Sequence, residues 1–183
     1  MRIIVVSGMP GAGKSVVTDA FRSAGYEVLV MGDVIREESR RRGLEPNAEN
    51  TRTIMLELRA QDGPGAVAKR CVEAILSRAT DTVVIEGCRS VAELDVFSSL
   101  TDDITVISVH ASPATRFQRL QARARRDAPL DWTSFRERDL REISVGIGGV
   151  IALSDVLLVN ESTLESFNEL VARTITELTR DEN

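Results

Sequence analysis

A glycine-rich segment at residues 8–15, with the sequence GMPGAGKS, fits the P-loop pattern G-x-x-x-x-G-K-[ST] at every fixed position. The pattern has meaning only between a buried strand and a helix, so its flanks must be examined too. Residues 2–7 form an apolar, β-branched run that is typical of a strand buried on both faces. Residues 15–22 carry apolar side chains at helical spacing. The segment therefore has the required order of strand, glycine loop and helix.

The glycines of this segment allow backbone angles that side chains forbid, so successive N–H groups can turn inward toward an anion. The positive end of the following helix points to the same place. We expect Lys14 to reach the β- and γ-phosphates of a nucleoside triphosphate and the Ser15 hydroxyl to hold Mg²⁺. A plain glycine turn is the alternative interpretation. The predicted nucleotide-binding residues of the loop are Gly8, Met9, Pro10, Gly11, Ala12, Gly13, Lys14, Ser15 and Val16.

The length and composition are those of a globular protein. A chain of 183 residues predicts one domain, and the 43% hydrophobic and 28% charged residues are ordinary. We expect no membrane segment, because no apolar run approaches roughly 20 residues, and no signal peptide. The net charge of −5 argues against a general nucleic-acid binder. Cys71 and Cys88 fit no metal spacing and indicate free thiols in a cytoplasmic protein.

A second short strand is predicted at residues 27–31, and two charged residues, Asp33 and Arg36, follow it. They are three positions apart at the start of a helix and can share one face. Ligands of open α/β sheets bind beyond the carboxyl ends of the strands, which is where these residues fall. Asp33 could instead be a helix N-cap, and Arg36 could be a solvated charge. We expect Arg36 to bind a phosphate.

Two helices are predicted between the second and third strands, at residues 47–60 with Asn47 as N-cap and at residues 66–78. A glycine- and proline-containing break at residues 61–65 separates them. These helices exceed what a minimal βα unit needs. We therefore interpret residues from about 33 to 79 as a substrate-binding insertion that can move.

The third strand is predicted at residues 82–87. It carries an acid, Glu86, at its carboxyl end, and Arg89 follows shortly after it. Glu86 has the position and chemistry of a Walker B carboxylate that holds Mg²⁺ or its waters. The alternative is an ordinary acid at the end of a strand. Arg89 lies at the same sheet edge and can bind a substrate phosphate in bidentate fashion.

An arginine-rich helix is predicted to follow the fourth strand, from residue 114 to about residue 126, with Ser112 as its cap and Pro113 at the first helical position. No acid occurs between residues 111 and 126. Unpaired like charges repel one another, so this pattern favours neutralisation by a bound anion over a solvated charged face. The arginines are Arg116, Arg119, Arg123, Arg125 and Arg126.

The rest of the chain completes an α/β pattern. We expect a helix at 132–143 with self-paired charges, in which Trp132 is a hinge or packing residue, and a glycine-spaced helix at 144–153. A fifth strand at 156–159 and a closing helix at 164–179 follow. Five buried strands that alternate with helices predict a parallel α/β sandwich.

Four of these segments resemble the nucleoside monophosphate kinase group of P-loop proteins. Residues 8–15 match its P-loop, and GDVIR at 32–36 looks like the adenylate kinase segment whose arginine grips the acceptor phosphate. EGCR at 86–89 is similar to the acid-glycine-x-x-arginine step of that family, with Glu for Asp and one residue fewer. RLQAR at 119–123 is similar to its lid entry, where the second arginine contacts the donor phosphates.

The C-terminal part resembles dephospho-CoA kinase instead. In that family the loop after the last strand lies beside the adenine, and SDVLLVNESTL at 154–164 looks like it. Over the whole chain the sequence resembles an archaeal family described as adenylate-kinase-related and dephospho-CoA-kinase-like. RGLEP at 42–46, GPGAVAKR at 63–70 and SVGIG at 144–148 carry this resemblance.

These resemblances imply a three-layer P-loop fold with strand order 2-3-1-4-5 and helices on both faces. They imply a mobile lid over about residues 113–143, ATP as donor, and Asn160 and Arg123 among the ATP-binding residues. Asp33 is implied as the base for a hydroxyl acceptor. If the acceptor is a phosphate, Asp33 would instead order the waters of Mg²⁺.

The leading hypothesis is a kinase for a small molecule that uses ATP and Mg²⁺, as a monomer or homodimer. AMP, another nucleotide, dephospho-CoA and an unrelated acceptor all remain open. A regulatory NTPase and a non-catalytic ATP-binding protein are the alternatives. The predicted catalytic residues are Lys14, Asp33, Arg119 and Arg123, the acceptor-binding residues are Asp33, Arg36 and Arg89, and the metal-binding residues are Ser15 and Glu86.

Overall fold

A five-stranded sheet forms the centre of the protein in this computed structural model, which describes residues 1–78, 80–123, 129 and 131–180. The strands are β1 (Arg2–Ser7), β2 (Glu27–Val30), β3 (Thr82–Glu86), β4 (Ile104–His110) and β5 (Val156–Val159). Their order is β2-β3-β1-β4-β5, and all neighbouring pairs are parallel. The predicted α/β class and strand order are therefore confirmed.

Helices cover both faces of this sheet. In the described part of the chain they are α1 (Lys14–Ser23), α2 (Met31–Arg41), α3 (Ala48–Asp62), α4 (Ala66–Leu76), α5 (Val91–Ser98), α6 (Pro113–Ala122), α7 (Trp132–Val145), α8 (Ile147–Ala152) and α9 (Leu164–Leu178). Helices α1 and α9 pack on one face, and α2 to α5 with α8 pack on the other. None of the helices described here has both the length and the apolar character needed to cross a membrane.

The side chains of β1 show why the sheet is covered on both sides. Ile3 and Val5 belong to the apolar core under α2 to α5, whereas Ile4 and Val6 belong to the core under α1 and α9. All four are completely buried. Full burial of one such side chain stabilises the fold by about 1.5–3 kcal/mol relative to its exposure. A continuous β-branched run, rather than an alternating one, is therefore what this central strand needs.

Some helix ends follow the sequence signals closely. The Asn47 side chain accepts a hydrogen bond from the N–H of Asn50 at the start of α3, and Ser112 accepts one from the N–H of Thr115 at the start of α6. Both predicted caps are confirmed. Helix α2 begins already at Met31, so the alternative reading of Asp33 as an N-cap is wrong.

Two predicted helices have different ends in the structure. The single helix expected at residues 144–153 is divided, because Gly146 adopts a φ of 116° that ends α7 before α8 begins. Helix α6 ends at Ala122, earlier than the predicted end near residue 126. Residues 124–128, with Arg125 and Arg126, lie outside the described part of the chain.

Candidate active site

The glycine loop between β1 and α1 has backbone angles that other residues rarely adopt. Gly8, Gly11 and Gly13 have φ angles of 143°, 81° and 109°. A Cβ atom at Gly8 would lie 2.3 Å from the carbonyl oxygen of Val109, and one at Gly13 would lie 2.3 Å from Nδ2 of Asn160. Because Gly13 is the N-cap of α1, the loop ends at the positive end of that helix. These features fit an anion-binding P-loop.

The side chain of Lys14 folds back over this loop. Its ammonium donates hydrogen bonds to the carbonyl oxygens of Gly8 at 2.8 Å and Met9 at 3.3 Å. Burial lowers the pKa of Lys14 from 10.5 to about 8; the Glu86 carboxylate opposes this shift, and the Arg89 guanidinium adds to it. An anion bound in the loop would favour the charged ammonium and raise this pKa again.

The carboxylate of Glu86 lies at the carboxyl end of β3 and is held by α1. Its Oε2 accepts a hydrogen bond of 3.0 Å from Oγ1 of Thr18, which is completely buried. Ser15 precedes Thr18 by three residues, so the two share a face of α1. Hydroxyl and carboxylate oxygens are ligands that suit Mg²⁺, which is usually held by one or two carboxylates together with substrate phosphates and water. Among the described residues, no group of three or more His, Cys, Asp or Glu side chains is arranged so that it could hold a metal ion.

A cavity of about 280 Å³ opens beside the glycine loop. Its lining includes Gly8, Gly11 and Lys14 of the loop region together with residues of α2, α3, β3, α5, α6 and α7. Cations outnumber acids in this lining, so the cavity suits an anionic occupant. The charged lining residues are Lys14, Arg36, Arg59, Arg89, Arg123 and Arg138 against Glu86, Glu93 and Glu142.

Arg36 lines the cavity, but Asp33 is absent from its lining. Nε and Nη2 of Arg36 donate to Oδ1 of Asp33 at 2.9 Å and 2.5 Å. The two side chains are 43% and 65% exposed, so the pair contributes at most about 1 kcal/mol in water. An anionic ligand can therefore compete with Asp33 for the guanidinium of Arg36.

Arg89 is held at the cavity by two glutamates. Its Nε lies 3.4 Å from Oε2 of Glu142 on α7, and its backbone N–H donates a 2.7 Å hydrogen bond to Oε2 of Glu93. The other carboxylate oxygen of Glu93 lies 3.2 Å from Nη2 of Arg59 on α3. Glu93 is 1% exposed. One buried carboxylate thus positions two arginines that line the cavity.

A buried ion pair links α6 and α7 to the glycine loop. Nη1 and Nη2 of Arg116 donate to the two oxygens of Asp139 at 2.8 Å and 2.6 Å. Nη1 also donates to the carbonyl oxygen of Pro10 at 3.2 Å, and the guanidinium lies over the Phe135 ring. The expectation that Arg116 is unpaired is therefore wrong. Its acidic partner lies on the following helix, beyond the segment without acids.

Aromatic packing joins the same two helices. The ring of Trp132 lies 5.3 Å from that of Phe117 on α6 and 5.1 Å from that of Phe135 on α7, measured between centroids. Such pairs contribute about 0.5–1.5 kcal/mol beyond their buried area. Trp132 therefore acts as a packing residue between α6 and α7, one of the two roles expected for it.

Asn160 supports the glycine loop from the end of β5. Its Nδ2 donates a 2.8 Å hydrogen bond to the carbonyl oxygen of Ala12, and its Oδ1 accepts one of 3.2 Å from Nη2 of Arg119. Arg119 thus contacts the loop through Asn160. Arg123 follows α6 as its C-cap and lines the cavity. Contacts of Asn160, Arg119 and Arg123 with ATP stay a prediction.

Neither cysteine is suited to nucleophilic chemistry. Cys71 and Cys88 are buried free thiols, as expected from the sequence. Burial raises the pKa of each thiol to about 12. Both are therefore protonated near neutral pH, where only a thiolate would react.

Several residues around the cavity were not singled out as ligands from the sequence: Thr18, Arg59, Glu93, Arg138 and Glu142. A local signal existed for Glu93, because it follows Ser90 in the S-x-x-E capping-box pattern. In the structure the Ser90 hydroxyl caps the N–H of Glu93, but the Glu93 carboxylate binds the N–H of Arg89. The others depend on helix packing that the sequence pattern does not specify.

Comparison with known proteins assigns the chain to a family. A UPF0200 protein of Hyperthermus butylicus is 46% identical over 177 residues, which cover 97% of this chain and 95% of that protein. A UPF0200 protein of Thermococcus kodakarensis is 41% identical over 96% of this chain and 97% of its own length. The chain belongs to the UPF0200 family. A family model described as AAA domain also matches residues 7–135, which begin just before the glycine loop.

Solved structures similar to this family member share its fold. TT1252 from Thermus thermophilus has a TM-score of 0.68 at 21% identity, covering 97% of this chain and 98% of that one. Shikimate kinase from Bacteroides thetaiotaomicron has a TM-score of 0.64 at 14% identity, covering 98% of both chains. A gluconokinase from Sinorhizobium meliloti has a TM-score of 0.60 at 16% identity, covering 98% and 94%. The fold is thus that of P-loop kinases.

Proposed function

We propose that this protein is a kinase that uses ATP and Mg²⁺ to phosphorylate a small, anionic, nucleotide-like acceptor. The observation that carries the proposal is the composition of one cavity. It is lined by the glycine loop and Lys14 and also by Arg36 and Arg89. Phosphoryl transfer needs alignment of donor and acceptor and neutralisation of charge more than it needs covalent help. A shared, positively lined cavity meets both needs.

The donor half of the site uses the loop and the first turn of α1. Free backbone N–H groups of the glycine loop and the first turn of α1 bind the phosphates of ATP, and the Lys14 ammonium binds its β- and γ-oxygens. Ser15 and Glu86 hold Mg²⁺, and Thr18 fixes the orientation of the Glu86 carboxylate. The bound ion supplies neutralisation of the charge on the phosphates. Asn160 keeps the loop in shape through Ala12.

The acceptor half uses the insertion at about residues 33–79 and the turn after β3. Arg36 and Arg89 orient the acceptor, and Asp33 receives the proton of a hydroxyl acceptor, which would contribute about 10²–10⁴-fold in rate. Arg119 and Arg123, which belong to the lid predicted over about residues 113–143, neutralise the transferring phosphoryl group. AMP, other nucleotides and dephospho-CoA are candidate acceptors. The names of two structural neighbours add shikimate and gluconate to the compounds worth testing.

The test is an assay with γ-labelled ATP, Mg²⁺ and this panel of acceptors. Lys14→Met should abolish label transfer, whereas Lys69→Met should leave it unchanged. Lys69 is a suitable control because it is the other lysine of the chain, is exposed and bonds the carbonyl oxygen of Asp62 away from the cavity. Free phosphate as the sole product with every acceptor would favour the regulatory NTPase instead. Tight ATP binding without turnover would favour a non-catalytic protein.

A further inference from the structure

Arg59 is an incompletely bonded cation in the wall of the cavity. Its side chain is 18% exposed and lies beside Glu93, which accepts a hydrogen bond of 3.2 Å from Nη2. Nε of Arg59 is buried without a hydrogen-bond partner. Nη1 is not among the buried atoms and has no partner in the described residues. A guanidinium has five N–H donors; here Nη2 binds Glu93 and Nε is buried, so the two N–H groups of Nη1 are left for a ligand.

The surroundings of Arg59 hold this guanidinium in place before any ligand binds. Glu93 is almost completely buried and accepts hydrogen bonds from both Arg59 and the backbone N–H of Arg89. Arginine presents its donors in a rigid fork that matches the two oxygens of a carboxylate or phosphate. A buried anchor on one side of the fork leaves the other side available at the cavity wall.

Apolar side chains complete this part of the wall. Ile35 of α2, Met55 of α3 and Val67 of α4 line the same cavity as Arg59. Ile35 and Val67 belong to the main hydrophobic core, with Met55 packed against it, so this wall is fixed by the fold. A ligand here meets one fixed positive charge beside an apolar surface.

We propose that Arg59 binds an oxyanion of the acceptor, a carboxylate or a phosphate, and thereby selects acceptors that carry such a group next to an apolar portion. This inference rests on the proposed function in taking the cavity as the acceptor site. It adds a third arginine to Arg36 and Arg89 and assigns it to specificity. Glu93 is a positioning residue, because it acts through Arg59 and Arg89.

The experiment measures anion binding rather than turnover. The full chain is saturated with Mg²⁺ and a non-hydrolysable ATP analogue, which occupies the glycine loop, and is titrated separately with inorganic phosphate and malonate. Calorimetry gives the affinity, and the Nε–H signal of Arg59 in ¹⁵N NMR reports binding at this side chain. The two probes distinguish a phosphate-bearing from a carboxylate-bearing acceptor.

Three variants make the outcome decisive. Arg59→Met should weaken binding of the preferred anion by about tenfold or more, as expected for loss of a charge-assisted hydrogen bond. Arg59→Met combined with Glu93→Gln should do the same without an unpaired buried carboxylate, so it covers the case in which the single variant does not fold. Arg52→Met, an exposed arginine of the same helix outside the cavity lining, should bind like the wild type.

Wild-type affinity in the double variant, or no binding of either anion by the wild type, would overturn the proposal. Binding that depends on Arg59 in a protein that phosphorylates no acceptor would refute the kinase function and, with it, the role of Arg59 in acceptor selection, but would leave Arg59 as the oxyanion-binding residue of the cavity. Kinase activity that is equal in wild type and double variant toward every anionic acceptor would refute the inference alone.

Discussion

Arg116 and Asp139 form a bidentate ion pair in which the two side chains are 4% and 3% exposed. Because Arg116 also bonds the carbonyl oxygen of Pro10, a residue of α7 is connected to the glycine loop through a single side chain. Arg138 and Glu142, neighbours of Asp139 on α7, line the cavity. The position of α7 over the cavity therefore depends on this pair.

Removal of one member of this pair should be strongly destabilising. Asp139→Ala leaves Arg116 as a buried charge without its counter-ion, and we expect the free energy of unfolding to fall by about 3–5 kcal/mol. Urea denaturation measures this change. Glu37→Ala, which breaks the exposed pair with Arg40 on α2, should cost less than about 1 kcal/mol. A similarly small loss at Asp139 would contradict the prediction.

ATP binding should be coupled to protonation of Lys14. The pKa of Lys14 is lowered to about 8, so near pH 8 about half of the free protein has a neutral side chain there. Bound phosphates favour the charged form, so binding at pH 8 should take up about half a proton per ATP, and binding at pH 6.5 almost none. Calorimetry in buffers of different ionisation enthalpy measures this uptake. Uptake that persists in Lys14→Met would assign the proton to another group.

Gly13→Ala should damage the nucleotide site specifically. The new Cβ would lie 2.3 Å from Nδ2 of Asn160, and Gly13 has a φ of 109°. Displacement of the loop should weaken ATP binding by about tenfold or more, since shifts near 1 Å have large effects on positioned ligands. Gly25→Ala is the matched control, because Gly25 also has a positive φ, of 90°, but has open space around it.

Gly25→Ala should therefore show the effect of backbone strain without a steric clash. Gly25→Ala should lower the free energy of unfolding by about 1–3 kcal/mol and leave the affinity for ATP unchanged. Fluorescence titration with a labelled ATP analogue, alongside urea denaturation, separates the two effects. Equal affinities for ATP in the two variants would show that the contact with Asn160 does not shape the loop.

Thr18→Val should weaken the metal site while preserving the volume of the side chain. The hydrogen bond from Thr18 orients the Glu86 carboxylate, and loss of such a bond typically costs about 10–100-fold in metal affinity or activity. We expect the Mg²⁺ concentration for half-maximal turnover to rise accordingly. Thr174→Val on α9 makes the same chemical change where the hydroxyl bonds the carbonyl oxygen of Leu170 on the same helix, and should have no such effect.

Asp33→Asn should separate the two classes of acceptor. If Asp33 receives the proton of a hydroxyl, this substitution abolishes transfer to a hydroxyl acceptor, whereas transfer to a phosphate acceptor is only weakened. Turnover with both classes is compared after the same substitution at Asp19, which pairs with Arg22 on α1 in a similar exposed arrangement. Equal, small losses with both acceptors would exclude Asp33 as the base.

The parts of the structure that the sequence predicted well are those set by neighbouring residues. The glycine pattern at 8–15, the apolar runs of the strands and the caps at Asn47 and Ser112 act over a few positions along the chain. Their physical causes, such as backbone angles and orphan N–H groups, are local. The strand order was implied by the family resemblance and agrees with the sheet observed.

Side-chain pairs between distant elements were not predictable in the same way. The partners of Arg116 and Arg59 are 23 and 34 residues away, on helices whose relative orientation no periodicity specifies. A segment rich in arginine and free of acid was therefore interpreted as unpaired charge. For Arg116 this was wrong, because an acid of α7 lies beside it. Arg59 was overlooked since it is an ordinary charged residue of α3.

The bond from Asn160 to Ala12 joins residues 148 positions apart and has a consequence during protein synthesis. The glycine loop leaves the ribosome long before Asn160, which follows β5. Until Asn160 has been synthesised, the carbonyl oxygen of Ala12 lacks its hydrogen bond to Nδ2, and the loop lacks the contact that holds its final shape. The nascent chain should therefore acquire its full affinity for nucleotide late, after all five strands have been translated.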